Sequence, residues 1–415
     1  MTGRIPPPAR APRASAPGLA LLIGLAAGGA ACADADGDPF ASTAPYVQDA
    51  RPDSMVVAHL TASPRRLRVE CEPADAAPGA ATIAVEEAAA GTAHGLRIEG
   101  LAPDSRYAYR VLDADSGLAV GGSTFRTAPI PGPDAREIRV AVVGDSGGIA
   151  ERESGERLKR RLKDVIRRRE HPLNAGQIAA RMAADEPDLV LHTGDLVYEV
   201  GARDAYAEAF FRPFAALIDH VPLYPVLGNH DVKTESGAPF LDVFHLPENS
   251  PAPERYYSFD YGPVHFVALA TDTDEVVPGS DQQRWLADDL AGPAATAARW
   301  RIAFFHRPPF TEGQHFDNSF VQETFIPVFE RYGVDLVVTG HDHNYQRFYP
   351  VNGITYVVTG GGGKTLYEVR STARTAYVAA VDHHVRLSIG ATALRLEAVS
   401  KDGLVFDSFA VEKAP

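Results

Sequence analysis

Five short segments built from metal-ligand residue types, each placed directly after an apolar run, constrain this chain more than any other feature. They are Asp145 in Gly-Asp-Ser-Gly, Asp195 and Tyr198 in Gly-Asp-Leu-Val-Tyr, Asn229 and His230 in Gly-Asn-His-Asp, His306 in Phe-Phe-His-Arg-Pro-Pro, and His341 and His343 in Gly-His-Asp-His. The preceding runs, Val140 to Val143, Leu189 to His192, Leu223 to Leu227, Ile302 to Phe305 and Leu336 to Val338, read as buried strands of an open sheet. Helical patterns over Ala175 to Ala184, Ala205 to Ile218, Gln282 to Leu290 and Phe320 to Tyr332 alternate with them, which predicts α/β architecture. Loops after such strands gather at one sheet edge, the usual place for a ligand site.

The residue types predict a two-metal hydrolase. A carboxylate, a phenolate and an imidazole suit a hard trivalent ion such as Fe(III), whereas two imidazoles and a side-chain amide suit a divalent ion such as Zn, Fe or Mn. In two-metal sites the ions lie roughly 3.5–4 Å apart, close enough to clamp the attacking and leaving oxygens of a displacement at phosphorus. Singly, each motif has an ordinary explanation. Gly-Asp makes Asx turns, a histidine after an apolar run can be a hydrogen-bonded core residue, and His-x-His on one strand merely puts two rings on one face. Five such coincidences in one α/β region favour a site.

From about Glu137 onward the chain resembles the calcineurin-like metallophosphoesterase superfamily, and Tyr198 in Gly-Asp-x-x-Tyr resembles its purple acid phosphatase branch. The phrases Tyr256 to Pro263, Asp281 to Leu286 and Thr355 to Gly362 are similar to the same family. The resemblance implies a two-sheet sandwich flanked by helices. It also implies Asp145, Asp195, Tyr198 and His343 around Fe(III), Asp195, Asn229, His306 and His341 around the divalent ion, and Asp195 as the bridge. Plant members carry two adjacent histidines after the fourth motif, where this chain has His315 followed by Phe316.

His315 is therefore one candidate for holding phosphate or donating a proton, and His230 is the other. Asp231, next to His230, is expected to orient that ring or raise its pKa. A coordinated water, its pKa lowered toward ~7, would attack phosphorus while His230 protonates the departing oxygen. Backbone N–H groups of Gly360 to Gly363 are further candidates for phosphate contact, or the run is a plain turn.

The 415 residues predict two domains and a leader. Residues 1–31 carry Arg4, Arg10 and Arg13 before the apolar stretch Gly18 to Ala27, the pattern of an export signal. Gly29-Ala30-Ala31-Cys32 resembles a bacterial lipoprotein cleavage site, which would make Cys32 a lipidated first residue and attach the protein to a membrane; ordinary cleavage and secretion is the alternative. Cys71 is then single, and a Cys32–Cys71 bridge has no motif behind it. Residues 32–44 read as a flexible tether. The net charge of −14 disfavours nucleic acid and large polyanions and leaves a small phosphate ester as the expected partner. Within this acidic chain, residues 151–170 hold nine Lys or Arg and predict a basic amphipathic helix, either a cationic cover or a solvated edge helix.

Residues 45–129 alternate like a small all-β module, with strand candidates at Met55 to Leu60, Leu67 to Cys71 and Ala81 to Val85. Leu101 to Val111 and Phe125 to Thr127 resemble the end of a fibronectin type III sandwich, with Tyr107 as its tyrosine corner, although the buried tryptophan usual in such modules is missing. Residues 130–136 read as a proline-rich linker and 137–415 as the catalytic domain, closed by strands at Val385 to Ile389, Ala391 to Val399 and Leu404 to Val411. The expected activity is an exported phosphomonoesterase. A phosphodiesterase on nucleotide or lipid-head-group esters and a catalytically weak surface binding module are the alternatives.

Overall fold

The computed structural model describes residues 43–75, 81–133, 135–147, 171–273 and 276–414. The signal, Cys32, most of the tether and the basic segment 151–170 lie outside the described residues. The N-terminal strands form two antiparallel sheets. One joins β1 (Tyr46–Gln48), β2 (Ser54–Arg65) and β5 (Gly91–Glu99); the other runs β4 (Ile83–Glu86), β3 (Leu67–Pro73), β6 (Arg106–Asp113), β7 (Ala119–Arg126). Alternation along β3 buries Leu67, Val69 and Cys71 on one face, as period-2 patterning requires. Tyr107 Oη accepts the Ala102 N–H at 2.8 Å, the hydrogen bond that defines a tyrosine corner, and its ring stacks on Phe125 at 5.7 Å. Met55, Tyr109 and Phe125 are buried in this sandwich, which contains no tryptophan.

Two larger sheets follow. The first has the order β10 (Leu223–Pro225), β9 (Leu189–His192), β8 (Ile138–Val143), β18 (His383–Ile389), β19 (Ala393–Ser400), β20 (Val405–Glu412). The second has the order β11 (Tyr257–Tyr261), β12 (Val264–Ala268), β13 (Trp300–Phe305), β14 (Leu336–Thr339), β16 (Thr355–Thr359), β15 (Tyr345–Phe348), β17 (Thr375–Ala379). Trp300, Ile302 and Phe304 on β13 join the apolar core shared with the first sheet, while Ala303 and Phe305 join a second core with Phe325 and Phe329 of the helix Ser319–Tyr332. Burial on both faces is why these strands read as unbroken apolar runs. The five motifs therefore do not share one sheet edge. Those of Asp145, Asp195 and Asn229 follow strands of the first sheet, and those of His306 and His341 follow strands of the second.

The pattern over Ala205 to Ile218 is also not one regular helix. A short α-turn, Arg203–Tyr206, passes through a π-turn, Ala207–Phe211, into the α-helix Arg212–Ile218. Pro213 has no N–H to give the α-helical ladder, and the N–H of Arg212 reaches back to Ala207, so the backbone takes up an extra residue there. The β-module packs directly on this part. Tyr46 Oη bonds the Val243 carbonyl, Tyr109 Oη donates to Asp219 O at 2.7 Å, Gln48 donates to Leu223 O at 3.2 Å, and Tyr46 lies 4.8 Å from Phe211. Residues 130–133 lie along the body of the protein, with Gly132 N–H bonded to Gly262 O.

Candidate metal centre

Strand register places the donors. Val143 pairs with His192, so the loops bearing Asp145 and Asp195 leave the first sheet side by side; Phe305 pairs with Thr339, so His306 and the Gly340–His341 turn do the same in the second. Asp145, Asp195 and His341 all take left-handed backbone conformations, with φ of 57°, 54° and 70°. Non-glycine residues seldom adopt that region, and where a fold holds them in it the position is often functional. Glycines flank these residues because no side chain fits. A Cβ on Gly228 would lie 2.2 Å from Asp195 Oδ1, and one on Gly340 would lie 2.5 Å from Asp145 Oδ2.

Asp145, Asp195 and His306 bring donor atoms within 4.8 Å of one another, all buried. Around His306 Nε2 stand Asn229 Oδ1 at 3.1 Å, His341 Nδ1 at 3.2 Å and Asp195 Oδ2 at 3.5 Å. The other ring nitrogen of His306 bonds the Thr193 carbonyl at 2.9 Å, which orients its Nε2 toward this cluster. A second group joins Tyr198 Oη to Asp145 Oδ1 at 3.2 Å and to His343 Nε2 at 3.3 Å, and His343 Nδ1 is held by Thr365 O at 2.8 Å. Asp195 also brings an oxygen within 4.8 Å of donor atoms of Asp145 and His306, one from each group, so Asp195 stands between the two groups. Such crowding of acceptors fits cations: one proton between His306 and its neighbours satisfies one contact, whereas an ion satisfies all of them.

The electrostatics agree with that fit. Burial, reinforced by the nearby Asp145 charge, raises the pKa of Asp195. Burial opposes protonation of His306, but Asp195 and Asp145 outweigh it and raise that pKa, while burial and the neighbouring histidines lower that of His341. A site that raises a buried carboxylate and an imidazole together is short of positive charge.

All seven expected donors meet here. His341 and His343 do so from a bend rather than from one strand, since the chain leaves β14 at Gly340 and re-enters a strand only at Tyr345. That bend aims His341 at the His306 group and His343 at the Tyr198 group. His230 lies at the rim, half-buried, its Nδ1 2.7 Å from Glu199 O, and its ring is 4.3 Å from that of Tyr198. Asp231 does not orient it. Asp231 points into the protein, accepting the N–H groups of Gly228 at 2.9 Å and Leu196 at 3.3 Å and the Tyr206 hydroxyl at 3.1 Å, because adjacent residues of a 3₁₀ turn diverge. The pKa of His230 is lowered, by burial first, with Lys233 adding to it against Asp195 and Glu199. His315 bonds Asp342 at 3.0 Å and stacks 3.9 Å from His341, which places it beside the centre. The glycine run is engaged in backbone bonding, with Gly360 N–H on Asn344 O and Gly362 N–H on Gly144 O, so those two groups do not face a phosphate.

Several contacts involve residues that carry no ligand pattern of their own. Arg307 Nη1 lies 3.1 Å from His341 Nε2 while its Nε bonds Asp272; Tyr367 stacks 4.0 Å from His343; Lys364 Nζ sits 4.0 Å over the Tyr198 ring. Of these, only Arg307 has a sequence cue, its place directly after His306.

The family model described as calcineurin-like phosphoesterase matches residues 138–345, half of the chain. Purple acid phosphatase 23 of Arabidopsis thaliana is 27% identical over 311 residues, covering 66% of this chain and 63% of the relative. The protein named probable inactive purple acid phosphatase 1, from the same plant, is 26% identical over 329 residues, covering 67% and 50%. The chain thus spans between half and two thirds of the length of these curated relatives. The solved purple acid phosphatase of yellow lupin (Lupinus luteus) seeds superposes with a TM-score of 0.74 at 21% identity over 89% of this chain and 74% of that one, a likeness of fold. Motifs, two-sheet architecture and family match agree, and the chain belongs to the calcineurin-like phosphoesterase family, with purple acid phosphatases among its relatives.

Proposed function

We propose that this protein is an exported binuclear-metal phosphomonoesterase. The observation that supports it most is the meeting of seven donor side chains from five loops of two sheets around Asp195. Asp145, Asp195, Tyr198 and His343 would hold Fe(III), and Asp195, Asn229, His306 and His341 a divalent Zn, Fe or Mn ion. When bound, such ions supply a water of lowered pKa and positive charge at the phosphoryl group. Thr193 and Thr365 carbonyls fix the His306 and His343 rings, which keeps the donor geometry without rearrangement. His230, anchored on Glu199 through Nδ1, offers Nε2 to the departing oxygen, and His315, anchored on Asp342, offers its free edge to the phosphate.

Export rests on the leader pattern, with lipid attachment at Cys32 or secretion as its two forms; among the described residues no helix is long and apolar enough to cross a membrane. Small phosphate esters rather than nucleic acid are the proposed substrates, given the net charge of −14. Metal analysis combined with assays on a generic monoester and a generic diester tests the proposal. Hydrolysis of the monoester in preference to the diester by the metal-loaded protein is expected. Preference for the diester would make it a phosphodiesterase, and failure on both with two ions bound would make it a binding protein.

A further inference from the structure

Beside His230 the structure gathers two lysines that metal binding does not require. Lys233 ends the turn that follows His230, and its Nζ lies 2.9 Å from His230 Nδ1, 3.3 Å from His230 Nε2 and 3.4 Å from Glu199 O. Lys364 comes from the opposite side, fixed by its own N–H on the Asp145 carbonyl at 3.1 Å. Its Nζ stands 4.0 Å above the Tyr198 ring and 3.5 Å from Glu199 Oε1. Among the described residues Lys233 makes no ion pair and Lys364 pairs with Glu199, whose side chain is 65% exposed against 15% for Lys364. Lys364, largely withdrawn from solvent, thus faces a carboxylate that is largely in water, and the exposed Lys233 reaches only the backbone carbonyl of the same residue. Withdrawing an ammonium from solvent is costly unless an anion compensates it, and an exposed carboxylate compensates weakly.

Position gives this charge its use. Lys233 borders His230 and Lys364 borders Tyr198, whose rings lie 4.3 Å apart, on the side where the departing oxygen would lie if His230 protonates it. We propose that Lys233 and Lys364 form a subsite for a second phosphoryl group on the leaving side of the scissile bond, so that small diphosphates are preferred over monoesters of neutral alcohols. This rests on the hydrolase function proposed above. One water is consumed, the bridging P–O bond breaks, and the departing phosphate oxygen leaves with a proton. Lys233 and Lys364 are positioning residues for that leaving phosphate.

The test is calorimetric binding of methylenediphosphonate and methylphosphonate to the full, metal-loaded chain, beside hydrolysis of inorganic diphosphate and glycerol phosphate. The wild-type protein is expected to bind the diphosphonate at least ~10-fold more tightly, and Lys233→Ala and Lys364→Ala each to cut that ratio by ~3- to 10-fold, the range for losing one contact to a partly solvated group. The corresponding ratio of kcat/KM values should fall in parallel. Variants that weaken both ligands equally, or a double variant that keeps the full preference, would overturn the subsite. Absence of hydrolysis on every ester with the lysine-dependent binding preference intact would overturn the hydrolase proposal and leave the subsite standing.

Discussion

His265 on β12 provides a quantitative check on the electrostatics of this fold. Its Nδ1 lies 2.8 Å from Asp260 and its Nε2 2.8 Å from Asp289, which ties the β11–β12 hairpin to the helix Asp281–Ala291. Burial disfavours the charged ring, and the two hydrogen-bonded carboxylates more than offset it, raising the pKa from 6.5 to about 9. At ~1.4 kcal/mol per pKa unit, that rise corresponds to about 3 kcal/mol of folding free energy. The folded pKa is above the unfolded one, so the contribution is complete below pH 6.5 and is lost as pH rises through about 9. Urea unfolding of the wild type and His265→Gln from about pH 6 to about pH 10 should show the wild type losing about 3 kcal/mol more than the variant. Tyrosine ionisation at the alkaline end is common to both and cancels in the difference. Parallel stability curves, or an imidazole that titrates near 6.5 by NMR, would refute the assignment of an imidazolium clamped between two carboxylates.

Gly228→Ala should displace Asp195, costing about 1–3 kcal/mol by overpacking and lowering metal content, as read by thermal unfolding and metal analysis. Asp195→Asn removes the charge shared by both donor groups; loss of at least one of the proposed ions and a ~10²–10³-fold fall in kcat are expected, and full metal content would argue against a bridge. With iron bound, Tyr198→Phe should abolish a visible charge-transfer band; a colourless but active wild-type enzyme would replace Fe(III) by another ion. At low pH, buried His59 and His383, each lowered to about 4 chiefly by burial, hold stability that is complete above 6.5 and is lost as pH falls toward 4. His383→Gln should flatten the acid limb of the stability curve, and an unchanged limb would show that other groups set it.

The donors were legible in the sequence because each follows an apolar run with a glycine or aromatic residue at the turn, a local pattern that needs no knowledge of the partner strands. The same locality misleads at Asp231: adjacency in sequence suggests contact with His230, whereas the turn sends its carboxylate inward to Gly228, Leu196 and Tyr206. The bend at His341 is not legible in the sequence because a left-handed φ on a non-glycine residue has no reliable sequence signal.

Residue chemistry by itself determined that this chain carries a metal-binding hydrolase pattern on α/β architecture behind an all-β module, since ligand type and hydrophobic periodicity are properties of short segments. Only the tertiary structure decided that three motifs come from one sheet and two from the other, that Asp195 stands between two donor groups, and that Lys233 and Lys364 border the same rim. Those relations depend on how two sheets pack and on which strand registers align, and packing joins residues more than a hundred positions apart, such as His343 and Tyr198, beyond the reach of any local pattern.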